Sequence, residues 1–400
     1  MLPCVYLFLL HTNELVENTT PEPLIGIAFA LDENTVFHAY PDHLANPYGK
    51  PLTCLLYSGI SSMNPAEQSE KEAIIIHYCN NEGKLNGKAF YKNGASITEC
   101  TLIIISNGKA LSARSEGLLE TDALAAKTVA VIGLGSGGSA IALELAKAGI
   151  GKFILIDYDR LEASNIARHI CGIQDLGRYK TWAVKDLLLQ KNPFASVIAL
   201  EKDIVQHRDA CLPYLSQADL LIAATDNDRS RFMINDISLN LKITAIYGRA
   251  LTRAAGGDVL RVRPFTGPCY NCLYSQNIRQ AGSDDEEISQ MKQAKKLLPA
   301  YTSEEDRHAL VQVGLSSDIA PIANLMVKLA LVELSRGMDT GIRSLEEDLT
   351  ADFYIWANRR ENIYAQWPKM GYGFTQPGIL RWYGAKVSRD PQCIVCATET

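Results

Sequence analysis

From Lys127 onward, short unbroken apolar runs alternate with stretches in which apolar residues recur every third or fourth position. Val129–Ile132, Phe153–Ile156, Ser196–Leu200, Leu220–Ala224 and Ile243–Tyr247 have the length and aliphatic content of buried strands. Ser139–Lys147, with Ile141, Leu145 and Ala148 on one side, has helical spacing, as do Lys180–Gln190 and Arg229–Leu241. Alternating strands and helices predict an α/β unit: a mostly parallel sheet with helices on both faces. Gly256–Arg263 and Asp352–Ala357 add late strands. Asp318–Arg336 adds a long apolar helix, with Ile322, Leu325, Leu329 and Val332 on one side.

Residues 1–110 follow a different pattern and are expected to form a separate, smaller α+β domain. Val5–Leu10, Ile25–Leu31, Leu52–Tyr57 and Leu102–Ser106 read as strands. Ala66–Cys79 reads as a helix with Glu67, Glu70 and Glu72 on its wet face, ended by Asn80-Asn-Glu-Gly83. His11, His38, His43 and His77 are not clustered at ligand spacing, so surface or satisfied histidines are the better reading. With no catalytic spacing, this unit is expected to serve as a docking or structural domain. Ala110–Leu124 is a polar, helical connector into the second domain, residues 111–400, and it carries Arg114, which by itself reads as a solvated surface arginine.

Composition narrows the function. The net charge of −6 and the lack of a basic run argue against nucleic acid as a partner. Val5–Leu10 is too short to span a membrane and lacks the flanks of a signal peptide, which favours a buried strand. Of ten cysteines, six are scattered and four fall in two C-x-x-C pairs, a usage that suits a reducing cytoplasm with a metal site. A polar stretch at about 276–316, with Asp284–Glu287 and Lys292, Lys295 and Lys296, reads as a crossing segment, mobile or covered by a partner.

The candidate chemistry starts at Gly133-Leu-Gly-Ser-Gly-Gly138, between the first strand and its helix. A glycine turn there lets backbone N–H groups and a helix N-terminus approach phosphate, or it serves only close helix–sheet packing. Asp157, at the end of the second strand, stands where a carboxylate reaches ribose hydroxyls; the alternative is a solvated strand end. Arg168 and Lys180 follow, placed to meet a triphosphate. Asp226 ends another strand, facing the crevice where open α/β sheets bind ligands. Cys269, Cys272, Cys393 and Cys396 can supply a closed tetrahedral thiolate site for Zn²⁺; redox pairs or unrelated thiols are the alternatives.

In order along the chain, these motifs resemble the superfamily of MoeB, ThiF and the ubiquitin-activating enzymes. Gly133, Gly135 and Gly138 correspond to its glycine turn, Asp157-Tyr-Asp159 to its D-x-D strand end, and Asn165-Ile-Ala-Arg168 to its N-x-x-R. Lys180 corresponds to its phosphate-binding lysine, Thr225-Asp226-Asn227 to its T-D-N, and the cysteine pairs to its zinc ligands. The likeness covers about 110–396 and leaves the first 110 residues outside it. It implies a Rossmann-like fold and MgATP-dependent adenylation of a C-terminal carboxylate, with release of pyrophosphate. Asp157 would hold the ribose, and Gly135 would lie beneath the phosphates. Asn165, Arg168 and Lys180 would bind the triphosphate, and Asp226 would hold Mg²⁺. Asp159 and Asn227 fall within the same nucleotide-binding motifs. An arginine from a dimer partner completes the site in the family, and Arg114 is the candidate here, which implies a homodimer.

The resemblance points to the C-terminus of a ubiquitin-like protein as substrate, with a conjugating enzyme or sulfur transfer downstream. With the extra N-terminal domain, it suggests a dedicated bacterial conjugation or defence pathway. One departure stands out: no cysteine lies between Cys272 and Cys393, where thioester-forming members carry their nucleophile. Cys171 is the nearest substitute in sequence, though a buried structural thiol is the better reading. Peptide-modifying adenylation, as in the microcin-maturing MccB, is the alternative enzyme. A pseudo-adenylation scaffold and a NAD-dependent oxidoreductase fit the charged residues less well.

Overall fold

The computed structural model describes residues 2–8, 24–31, 36–40, 50–58, 72–81, 84–105, 109–115, 117–251, 254–274, 314–339, 342–367 and 378–397. The chain divides into two compact units, Met1–Leu111 and Ser112–Thr400.

Seven strands make the first unit: β1 (Cys4–Phe8), β2 (Leu24–Leu31), β3 (Val36–Tyr40), β4 (Lys50–Ser58), β5 (Ala73–Asn81), β6 (Lys84–Asn93) and β7 (Ser96–Ile105). They close into a barrel in the order β1-β3-β2-β4-β5-β6-β7, sealed by parallel pairing of β1 with β7. Alternate residues such as Val5, Leu7, Phe37, Ala39, Leu56, Ile74 and Ile76 fill its interior. The helix expected at Ala66–Cys79 is corrected: from Ala73 on, this stretch is strand β5. Ile74-Ile75-Ile76 supplies three consecutive β-branched residues, all fully buried, and β4 and β6 pair along both edges. Residues 66–71 lie outside the described residues. Asn80 and Asn81 finish β5, and the β5–β6 pairing runs to Asn81 opposite Lys84. Strands β3 and β6 were not expected from the sequence.

The second unit is an eight-stranded sheet. Its strands are β8 (Thr128–Ile132), β9 (Lys152–Ile156), β10 (Ser196–Leu200), β11 (Leu220–Ala223), β12 (Ala245–Ala250), β13 (Gly256–Val262), β14 (Phe353–Ala357) and β15 (Arg381–Ala385). The spatial order is β10-β9-β8-β11-β12-β13-β14-β15. The first five strands are parallel, and the last three join antiparallel. The helices are α1 (Thr121–Ala126), α2 (Ser136–Lys147), α3 (Lys180–Lys191), α4 (Arg208–Leu215), α5 (Asp228–Leu241), α6 (Tyr270–Tyr274), α7 (Ser316–Leu334) and α8 (Arg343–Asp348).

Both faces of the sheet are covered. Val129 and Val131 of β8 pack towards Ile141 and Leu145 of α2, Val184 of α3, and Ile322, Leu325 and Leu329 of α7. Ala130 and Ile132, pointing the other way, join Leu215 of α4, Ile234 and Ile237 of α5, and Tyr270 of α6. The chain winds outward from β8 through β9 to β10, then returns to β11 on the other side. The strand order therefore reverses between β8 and β11, and a crevice opens at their C-terminal ends. The polar crossing segment lies outside the described residues up to 313. Among the described residues, no helix is long and apolar enough to cross a membrane.

Candidate nucleotide crevice and thiol centre

The glycine turn is shaped by contacts that no side chain would fit. Gly133 has φ +87°, and a Cβ there would lie 2.7 Å from the carbonyl oxygen of Ala224 on the neighbouring strand's exit. A Cβ on Gly138 would lie 1.9 Å from the carbonyl oxygen of Gly133. Gly135 differs: its backbone is extended, and nothing lies within 4 Å of where its Cβ would be. It is the N-cap of α2, and no side chain caps that helix end. The first N–H groups of α2 therefore face the crevice as donors for an anion.

Three side chains hold this loop. Asp157 Oδ2 accepts from the Leu134 N–H at 2.6 Å, and Oδ1 accepts from the Asp159 N–H at 2.8 Å. Burial pushes the Asp157 carboxyl up, opposed by Lys180 and these two backbone donors. His169 Nε2 donates to the Leu134 carbonyl at 2.8 Å, and Nδ1 accepts from the Cys171 N–H at 3.1 Å. That pairing requires the neutral ring, and burial lowers the His169 pKa accordingly. Ser136 Oγ donates to the Arg168 carbonyl at 2.8 Å. Leu134 is thus tied through both backbone groups. His169 and Ser136 were missed in the sequence; the only signal was their adjacency to Arg168 and the glycines.

The cations arrive from two directions. Lys180 opens α3 with its side chain 10% exposed, and its Nζ lies 2.7 Å from Asp159 Oδ2. Arg168 is half-buried; burial lowers its pKa, and the Asp226 carboxylate opposes that shift. Asp226 is exposed at the exit of β11. Asn227 is the N-cap of α5 and accepts from the Ser230 N–H at 2.9 Å, which gives it a structural task. Asn165 likewise accepts from the Glu162 N–H at 3.0 Å, closing the turn at Ala163–Asn165. A cavity of about 100 Å³ opens beside this group, lined by Ser136, Arg168 and His169 and by Ser316 and Ile319 of α7. Arg114 stays apart: it is exposed in the turn Ala113–Ser115, and no bond among the described residues links it to the crevice.

The four paired cysteines meet. Cys269 and Cys272 Sγ are 3.7 Å apart, Cys269 and Cys393 3.6 Å, and Cys272 and Cys396 3.5 Å. All four sulfur atoms lie within 4.8 Å of one another. A tetrahedral zinc thiolate with bonds of about 2.3 Å has sulfur–sulfur edges of about 3.8 Å, so this donor set has the dimensions to hold such an ion. The Cys269 thiol, bonded to Cys272, holds Cys272 below the usual thiol range and is itself pushed up. Cys171 is different: it is 3% exposed, and burial pushes its thiol up to about 12.

A doubly wound α/β sheet with an uncapped helix N-terminus, a strand-end aspartate and two cations near its switch point has the layout of a candidate nucleotide crevice. The ThiF family model matches residues 109–362, and the chain belongs to the ThiF family. The adenylyltransferase and sulfurtransferase MOCS3 of Culex quinquefasciatus is 32% identical over 148 residues, 37% of this chain and 33% of that protein. The sulfur carrier protein ThiS adenylyltransferase of Escherichia coli is 32% identical over 151 residues, 37% of this chain and 59% of that protein. The matched stretch thus spans about a third of the first relative's length. Among solved structures, E. coli MccB with ATP has 20% identity and a TM-score of 0.48, over 69% of this chain and 68% of that one.

Proposed function

We propose that the chain is an ATP-dependent adenylyltransferase acting on the C-terminal carboxylate of a small ubiquitin-like or sulfur-carrier protein. The observation that supports this reading is an uncapped helix N-terminus beside Arg168, with Lys180 at the neighbouring strand-end carboxylates and Asp226 at the exit of β11, within a ThiF-family unit. A carboxylate oxygen would attack the α-phosphorus of ATP. The new bond joins carboxylate and AMP, the bond from the α-phosphorus to the bridging oxygen breaks, and pyrophosphate leaves.

Both reactants are anionic, so the main task of the protein is to offset charge and hold the line of attack. The N–H groups of α2 and the Arg168 guanidinium would meet the phosphates. Lys180 would exchange part of its bond with Asp159 for phosphate oxygens. Asp157 keeps second lone pairs on both oxygens for ribose hydroxyls while holding Leu134 and Asp159. Mg²⁺, for which Asp226 is the carboxylate ligand in this reading, would supply further neutralisation of the triphosphate. Zn²⁺ in the four-thiolate set would be structural, since all four positions are filled by protein sulfur.

The ubiquitin-like substrate, a homodimer completed by Arg114, a cytoplasmic setting, a downstream conjugating enzyme and a bacterial defence pathway are parts of the same proposal. They rest on the motif resemblance. In ATP–pyrophosphate exchange, Asp226→Ala is expected to abolish activity while circular dichroism stays unchanged. Exchange persisting in that variant would remove the metal assignment. Exchange with a short peptide, but with no diglycine-ended protein, would replace this reading with peptide-modifying adenylation.

A further inference from the structure

Outside the crevice, two arginines, two aspartates and two tyrosines form a buried charged cluster between α5, β12, β13 and α6. Both tyrosines belong to the thiol centre's own helix. Tyr270 lies between Cys269 and Cys272, and Tyr274 follows two residues later. Tyr270 is fully buried, its backbone N–H donates to Asn235 Oδ1 at 2.9 Å, and its hydroxyl donates to Asp228 Oδ1 at 2.7 Å. The same oxygen accepts from Arg231 Nη1 at 3.0 Å. The other terminal nitrogen of Arg231 donates to the carbonyl of Thr225 at 2.7 Å. Thr225 directly precedes Asp226.

The second tyrosine leads elsewhere. Tyr274 donates to Asp258 Oδ1 at 2.9 Å, and Asp258 is held by Arg249 Nε at 3.2 Å across the β12–β13 ladder. Arg249 also touches the first branch, with a long ion pair to Asp228 at 3.9 Å and an interaction with Tyr270, but among the described residues none of its bonds runs to Thr225. Two hydroxyls from one short helix therefore enter the same buried cluster, and only one reaches the Thr225–Asn227 turn.

We propose that the four-thiolate centre positions the Mg²⁺-binding carboxylate through Tyr270, Asp228, Arg231 and the Thr225 carbonyl, making Tyr270 a positioning residue for the nucleotide site. The proposal rests on the reading of Asp226 as the Mg²⁺ ligand of MgATP. Cysteines at 269 and 272 fix both ends of the first turn of α6, and a bound ion would hold the Tyr270 ring in register. The relay is short and made of buried polar groups, three of its links involving a charged side chain. In such a setting a lost partner is felt at the next group rather than absorbed by water. Tyr270 hydroxyl loss leaves Asp228 with Arg231 and the longer 3.9 Å pair to Arg249, so the Arg231 guanidinium can swing from the Thr225 carbonyl towards the carboxylate.

The test measures ATP binding by calorimetry, with and without Mg²⁺, on the metal-loaded full chain. Tyr270→Phe is expected to retain its metal stoichiometry and its affinity for Mg²⁺-free ATP. It should need about tenfold more Mg²⁺ for half-maximal enhancement of binding. Arg231→Lys, which keeps a charge beside Asp228 but cannot bridge to Thr225, should shift the Mg²⁺ requirement in the same direction. Tyr274→Phe should remain within twofold of wild type. A wild-type protein whose ATP affinity ignores Mg²⁺ removes the functional reading and the relay with it. A Mg²⁺-responsive wild type, with Tyr270→Phe and Arg231→Lys responding equally, overturns the relay alone. An equal shift in Tyr274→Phe also overturns it, since general loosening of α6 would then explain the effect.

Discussion

Replacing Lys180 with methionine separates catalytic from structural charge, because the side chain keeps its length and loses only its ammonium group. The main structural loss is the ion pair from Nζ to Asp159 Oδ2 at 2.7 Å, with the lysine side chain 10% exposed and the aspartate 50% exposed, together with the charge that opposes the burial of Asp157. With one partner half in water, the released Asp159 can be solvated. The pair is then worth about 1 kcal/mol or less to folding. For a domain of this size that is a fall of a few degrees in Tm. If Lys180 meets the phosphates as proposed, the expected loss of activity is much larger. A charge-assisted contact to a phosphoryl group in an enclosed crevice contributes about 2.7–4 kcal/mol to the transition state, or roughly 10²–10³-fold in rate. ATP–pyrophosphate exchange, run beside thermal unfolding, reads both quantities. Exchange within threefold of wild type would leave Lys180 as no more than the structural partner of Asp159. A collapse of Tm by more than about 10 °C would refute the separation of the two losses, because lost activity would then report lost structure.

Other variants test the remaining parts. Cys171→Ala is expected to leave exchange unchanged and to remove no reducible adduct on non-reducing gels; loss of a thioester-linked partner would overturn the reading of a buried structural thiol. His169 has a folded-state pKa below its unfolded value, so its contribution to stability is complete above about pH 6.5 and is lost as pH falls through the folded value. Denaturant unfolding of His169→Gln should accordingly show a flatter stability profile than wild type below that pH; identical profiles would mean that His169 titrates alike in both states. On the proposal that the four thiols hold Zn²⁺, Cys272→Ser is expected to lose zinc by elemental analysis and to lower Tm by roughly 10 °C or more, whereas zinc content equal to wild type would show that the thiol set is not its ligand.

Local patterns made most of the α/β unit legible. Buried parallel strands such as Val129–Ile132 are short apolar runs, and α2 and α5 carry their period in sequence, although α2 starts at Ser136, three residues earlier than its spacing showed. The glycines were readable because Gly133 and Gly138 meet backbone atoms of β11's exit and of the turn itself, which leaves no other residue type possible. The first unit was harder. Ala73–Tyr78 mixes isoleucines facing the barrel interior with Ile75 facing away, all of them buried, so the two-residue alternation that marks a strand is erased. Within β6, Lys84, Asn86, Lys88 and Lys92 hide an element that is held mainly by pairing to β5 and β7. The links from His169 to Leu134 and from Tyr270 to Asp228 join residues far apart along the chain, and no spacing rule encodes such contacts. Asn165 and Asn227 were found by motif, yet their first structural duty is capping, which the motif does not distinguish from ligand binding.

In the proposed reaction this crevice joins AMP to a protein's C-terminal carboxylate. Its most direct test is intact-mass spectrometry of a diglycine-ended ubiquitin-like protein incubated with the chain, ATP and Mg²⁺. Addition of one adenylyl group is expected on the free carboxylate and none on the same protein ending in an amide. An unmodified mass for every such partner, with pyrophosphate released from none of them, would contradict it.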